Sequence, residues 1–107
     1  AAEMAAIEGV DVLFIGPADL SHSMGIPGQI EHPDFEVATR TVAESAREAG
    51  VAAGILVWNP DDVGRYARMG YTFFALATEV TTLDRAAREA LASAREAAAA
   101  VTATEVV

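Results

Sequence analysis

Asp19, Ser21, His22 and Ser23 bring an acid, two hydroxyls and an imidazole into one short stretch, just after Gly16-Pro17 interrupts an apolar run. A carboxylate such as Asp19 suits Mg²⁺, Mn²⁺ or a similar oxygen-preferring ion, which takes one or two protein carboxylates and leaves positions for substrate and water. The same residue type also suits a plainer task, capping a short turn over Leu20–Met24. Nucleophilic catalysis fits the stretch poorly. Adjacent residues do not present their side chains to one another, and no positioned acid or oxyanion device accompanies Ser21, His22 and Ser23. His22 and His32 lack tight metal-ligand spacing and read as loop or surface histidines, with His22 able to line a pocket mouth.

The element that must position these groups is the apolar run before them. Val12-Leu13-Phe14-Ile15 is continuous and short, the pattern of a strand buried on both faces. A parallel strand that empties into a polar loop at its carboxyl end is where α/β folds place their chemistry. Val10–Gly16, Val51–Trp58 and Tyr71–Ala77 are the strand candidates, and each is followed by a helical pattern. Over Asp34–Ala49 the residues Phe35, Ala38, Val42 and Ala46 share a face, with Gly50 as the stop. Asn59-Pro60 reads as a cap with proline in the first turn of a helix through Val63, Tyr66, Ala67 and Met69 to Gly70. Thr81-Thr82 opens a last helix through Leu83, Ala87, Leu91 and Ala94 towards Ala100, and Ala1–Ile7 reads as the end of one more, closed by Gly9. The order α-(βα)₃ predicts a parallel sheet with helices covering it.

Two other strand ends, Trp58-Asn59 and Thr78-Glu79, are expected at the same rim as Asp19. Trp58 is suited to wall an apolar pocket or to pack against a neighbouring subunit, and Val57 and Ala77 to line one. Glu79 is a carboxylate at a strand end. Glu3 and Glu8 fall in the first helix or its exit, away from any strand end.

Composition removes several functions. Sixteen acidic against seven basic residues give a formal net charge of −9, with no basic stripe to displace counterions from nucleic acid or to bind an anionic membrane. There is no cysteine, hence no thiolate nucleophile or Cys-based zinc site. No apolar run approaches a membrane span and no leader pattern opens the chain, so a cytoplasmic location is expected. All seven basic residues are arginines. Without a lysine these residues offer no Schiff base, and carbanion chemistry here needs another electron sink, for which a divalent metal serves.

The block Phe14-Ile15-Gly16-Pro17-Ala18-Asp19-Leu20-Ser21, continued by Ser23-Met24-Gly25 and followed by His32-Pro33, resembles the HpcH/HpaI aldolase/citrate lyase family of metal-dependent pyruvate aldolases. The resemblance implies a (β/α)₈ TIM barrel of about 250 residues, of which these three βα units would be the sixth to eighth. Residues 1–101 are then expected to form the carboxyl-terminal half of an aldolase-type barrel, with 102–107 as a frayed tail. A complete small flavodoxin-like domain is the rival architecture. By the same resemblance Asp19 is a metal ligand that also contacts substrate. The backbone at Ala18 approaches the substrate's carboxylate, and its small side chain favours the aldolase branch over CoA-thioester enzymes. The second metal carboxylate, the His base with its Asp support and the enolate-stabilising Arg are expected in the part of the barrel that precedes these residues. Family members often carry a Gly-x-Asp-type end where this chain has Ala77-Thr78-Glu79, so no role passes to Glu79.

The implied function is that of a class II aldolase, a carbon–carbon lyase that reversibly cleaves a 4-hydroxy-2-oxo acid or a 2-keto-3-deoxy sugar acid to pyruvate and an aldehyde through a metal-stabilised enolate. Mg²⁺, Mn²⁺ or Co²⁺ is the implied cofactor. The implied partners are the small 2-oxo acid and aldehyde, with no nucleic acid or membrane, and the complete protein is expected to be a homo-oligomer. The alternative is a non-catalytic truncated half-barrel or interaction module. Expressed alone, the 107 residues are expected to be inactive and to self-associate, because three strands leave long apolar edges open.

Overall fold

The computed structural model describes residues 1–105, which divide into two units, Ala1–Leu76 and a second beginning at Ala77. The first unit is α/β. Its order is α1 (Ala2–Ala5), β1 (Val12–Ile15), α2 (Pro17–Ser23), α3 (Pro33–Ala49), β2 (Ala52–Val57), α4 (Val63–Met69) and β3 (Phe73–Leu76), with a 3-10 turn at Pro60–Asp62 leading into α4. The strands form one parallel sheet in the order β1-β2-β3. Val12 to Ile15 pair with Ala52 to Ile55, and Gly54 to Val57 pair with Phe73 to Leu76.

Local chemistry sets the helix ends. His32 caps α3, its Nδ1 accepting the Asp34 N–H at 3.1 Å, with Pro33 in the first turn and Asp34 and Glu36 near the positive end of the helix dipole. Gly50 closes it at φ 72, in the left-handed conformation that glycine adopts without steric cost. Asn59 accepts the Asp61 N–H at 3.2 Å and starts the turn that becomes α4. Tyr71 lies just outside β3 yet is buried. Its ring meets Tyr66 edge-on at 5.7 Å, and its hydroxyl donates to the Thr39 carbonyl at 2.8 Å, joining the entrance of β3 to α3. Burial pushes the Tyr71 hydroxyl well above the ordinary tyrosine range.

One face of the sheet carries Leu13, Ile15, Ala53, Ile55 and Val57, all buried with Ala43, Ala46, Tyr66 and Tyr71. The other face is open. Phe14 and Phe73 are 46 % and 52 % exposed, and their rings meet edge-to-face at 5.9 Å across the middle strand. Gly54 permits this, since a Cβ there would stand 2.7 Å from Phe14 Cδ2 and 3.0 Å from Phe73 Cδ1. The expectation that β1 is buried on both faces is therefore corrected. An apolar run reports hydrophobicity, whereas burial depends on which face the helices cover. Val57, expected to line a pocket, belongs instead to the helix-covered core at 2 % exposure.

The second unit contains α5 (Glu79–Glu105). Thr78 and Thr81 exchange bonds, each side-chain oxygen accepting the other's backbone N–H, at 3.0 and 3.2 Å. This reciprocal cap starts the helix before Thr81, so Glu79 is its first residue rather than part of a strand-end loop. Ala77 precedes it in left-handed backbone at φ 56. The tail expected to fray from Thr102 is helical through Glu105, the alanine-rich stretch before it favouring propagation; residues 106 and 107 lie outside the described residues. Among the described residues no helix is long and apolar enough to cross a membrane.

Candidate functional site at the carboxyl end of the first strand

β1 stops at Ile15, and α2 begins almost at once. Gly16 is its N-cap, with φ −90 and ψ 104, and Pro17 supplies the first helical residue. Asp19 therefore falls in the first turn, three positions after the cap, and is not the cap. Proline at the first helical position moves the helix start upstream of the turn expected over Leu20–Met24. The Asp19 carboxylate is exposed and, among the described residues, accepts no hydrogen bond and forms no ion pair. Its Oδ2 lies 3.1 Å from the place a Cβ on Gly16 would take. Successive side chains of an extended strand point to opposite faces, so the side-chain direction at Gly16 is that of Phe14. The carboxylate thus overhangs the open face of the sheet. Ala18, beside it, is exposed and small.

Among the described residues no three His, Cys, Asp or Glu side chains come together as a metal cage. Asp19 is a single hard-oxygen donor without competing partners. That fits an ion such as Mg²⁺, which is held through one or two carboxylates and keeps its other positions for water and substrate, and it leaves any second carboxylate to come from outside these residues.

Ser21 is fully buried. Its hydroxyl donates to the Ala18 carbonyl at 3.0 Å and accepts the Gly28 N–H at 3.0 Å. Both capacities are occupied, which accounts for the poor fit of a nucleophile here. His22 is exposed on α2, Ser23 donates to the Leu20 carbonyl at 2.8 Å, and His32 is the cap of α3, so the two histidines serve different elements. Trp58 follows β2 directly, 39 % exposed. It continues the alternation of Gly54 and Leu56, on the strand beside the one that ends at the Asp19 turn. Glu3 and Glu8 are exposed, on α1 and beyond its end.

A clamp absent from the sequence reading secures this rim. Arg65 of α4 reaches both Glu31 carboxylate oxygens at 2.7 Å and the Ile30 carbonyl at 3.2 Å, its guanidinium 5.0 Å from the Tyr66 ring centroid. The hydrogen bond to Glu31 raises the Arg65 pKa, against desolvation. Arg65 thereby ties the loop between α2 and α3 to the helix after β2. Glu31 and Ile30 lie more than thirty positions away in sequence, so no local spacing could reveal the clamp.

Residues 1–86 match the sequence profile of the HpcH/HpaI aldolase/citrate lyase family. The chain is 47 % identical over 87 residues to a 4-hydroxy-2-oxo-heptane-1,7-dioate aldolase of Shigella sonnei, covering 81 % of this chain and 33 % of that protein. It is 40 % identical over 93 residues to a hydroxypyruvate/pyruvate aldolase of Paraburkholderia phytofirmans, covering 87 % and 36 %. Its fold is similar to the crystal structure of an HpcH/HpaI aldolase/citrate lyase family protein from Burkholderia cenocepacia, with a TM-score of 0.84, 41 % identity, and coverage of 88 % of this chain and 37 % of that one. The chain spans about a third of the length of the curated relatives it matches. It belongs to the HpcH/HpaI aldolase/citrate lyase family.

Proposed function

We propose that, as a member of this family, the protein carrying these residues is a metal-dependent class II aldolase. Its substrate is a 4-hydroxy-2-oxo acid or a 2-keto-3-deoxy sugar acid, cleaved reversibly to pyruvate and an aldehyde. The observation that carries the reading is the Asp19 carboxylate, unpartnered among the described residues, at the carboxyl end of a parallel strand and overhanging the open face. Asp19 would hold the divalent ion (Mg²⁺, Mn²⁺ or Co²⁺) and orient the substrate against it. When bound, the ion supplies Lewis-acid stabilisation of the negative charge that develops on the 2-oxo acid. Ala18 is exposed and carries little side-chain bulk, which suits close approach of the substrate's carboxylate to the backbone there. Trp58, half-buried on the neighbouring strand end, offers an apolar surface for the aldehyde portion. The proton-transfer and charge-stabilising groups come from the rest of the barrel, with residues 1–101 as its carboxyl-terminal part.

The experiment is a pyruvate-release assay on the protein that carries this chain. Activity is expected to vanish in excess EDTA and to return with Mg²⁺, Mn²⁺ or Co²⁺. Full activity in EDTA, together with borohydride trapping of pyruvate on the protein, would overturn the proposal in favour of a covalent route.

A further inference from the structure

We propose that Ser21 is a positioning residue for the Asp19 carboxylate, acting through a buried hydroxyl bridge that locks the first turn of α2 to the loop behind it. The inference rests on the reading of Asp19 as a metal ligand. Among the described residues the Asp19 side chain accepts no hydrogen bond, so its place is set by its backbone. That backbone includes the peptide between Ala18 and Asp19, whose carbonyl accepts the Ser21 hydroxyl at 3.0 Å. The same hydroxyl accepts the Gly28 N–H at 3.0 Å, and the Ser21 carbonyl accepts the Ile26 N–H at 2.9 Å. Gly25 and Gly28 have φ 73 and 74, left-handed conformations that let the loop turn back far enough to reach Ser21. Beyond Gly28 the loop meets Arg65, which holds Ile30 and Glu31. A serine of zero exposure thus sits midway between a free carboxylate and a loop anchored to a second helix.

Serine is the residue type that satisfies this place. Alanine would leave the Gly28 N–H without its acceptor and release the Ala18 carbonyl from its side-chain donor. Groups that orient a metal ligand without touching the metal commonly change affinity or activity by about 10- to 100-fold when removed. A residue that only stabilised the fold would lower the melting temperature and leave the affinity of the folded protein unchanged.

The test measures Mn²⁺ binding by electron paramagnetic resonance, together with kcat, KM and the apo melting temperature, in the protein carrying this chain. Wild type, Asp19→Asn, Ser21→Ala and Ser21→Thr are compared. Ser21→Ala is expected to weaken Mn²⁺ binding about tenfold or more and to lower kcat with it. Ser21→Thr, which keeps the hydroxyl, is expected to recover most of the affinity. An Mn²⁺ affinity for Ser21→Ala within twofold of wild type, where Asp19→Asn loses binding, would overturn the positioning role alone. Equal affinity in wild type and Asp19→Asn would overturn the ligand reading itself and the inference with it. Should Ser21→Ala not yield folded protein, Ser21→Cys fills similar space with only a weak donor and acceptor, and a lowered apo melting temperature with Mn²⁺ affinity within twofold of wild type in that variant overturns the proposal equally.

Discussion

The two faces of the sheet are built from similar apolar residues and do different work. Leu13, Ile15, Ile55 and Val57 are sealed beneath helices, while Phe14 and Phe73, on the same strands, are about half exposed. The Asp19 carboxylate overhangs the second of these faces, beside Gly16. On the function proposed for Asp19, stability is concentrated on one side and chemistry on the other. A substitution should register in one measurement or the other according to the face it touches.

The largest effect expected on the open side is in turnover. Asp19→Asn keeps the shape of the side chain and removes its charge, so turnover should fall by orders of magnitude while the apo melting temperature moves by a few degrees at most. Near-normal turnover in this variant would return Asp19 to a purely structural place. On the covered side Ile55→Ala, at a site of zero exposure, should cost about 2–5 kcal/mol in denaturant unfolding, with metal affinity unchanged in the folded protein. Comparable loss of metal affinity in that variant would break the division between faces.

Gly54→Ala probes the boundary. Its Cβ would collide with both phenylalanine rings, and parting them should cost about 1–3 kcal/mol. A neutral result would mean the rings separate freely and the open face is soft. The smallest change is Tyr71→Phe, which removes the hydroxyl donated to Thr39 and should cost about 1 kcal/mol. It also has a pH signature. Burial raises the Tyr71 pKa in the folded protein above the unfolded value of about 10, so the folded state holds this proton more tightly. The contribution is complete below about pH 10 and is lost as pH rises beyond that towards the folded value. Tyr71→Phe should flatten that alkaline loss in a pH series of thermal unfolding.

The parallel αβ order is legible in the sequence because each apolar run is bounded by glycine or proline and followed by a helical period. The strand limits are less so: Val10, Val51 and Tyr71 are apolar and join the core or its border without belonging to a ladder. The Asp19 turn is legible from the Gly16-Pro17 break, though its helix starts earlier than a cap at Asp19 would require. Which face would be covered is not legible, since Phe14 and Ile15 read alike until the helices are placed. His32 as a cap and Ser21 as a bridge are also hidden. Imidazole and hydroxyl groups announce chemistry by type, and only geometry shows that here the backbone uses them.

The phenylalanine pair over Gly54 gives the molecule a built-in reporter. Each ring carries a magnetic field that displaces the resonances of protons held near it, and the Gly54 α-protons lie in the strand that the two rings bridge. Neither ring is enclosed, so both are free to flip about the Cβ–Cγ axis. Anything that covers this face, whether further strands or another chain, will slow those flips and broaden the aromatic signals. Ring dynamics at two side chains therefore report whether the open half of the sheet has found its lid.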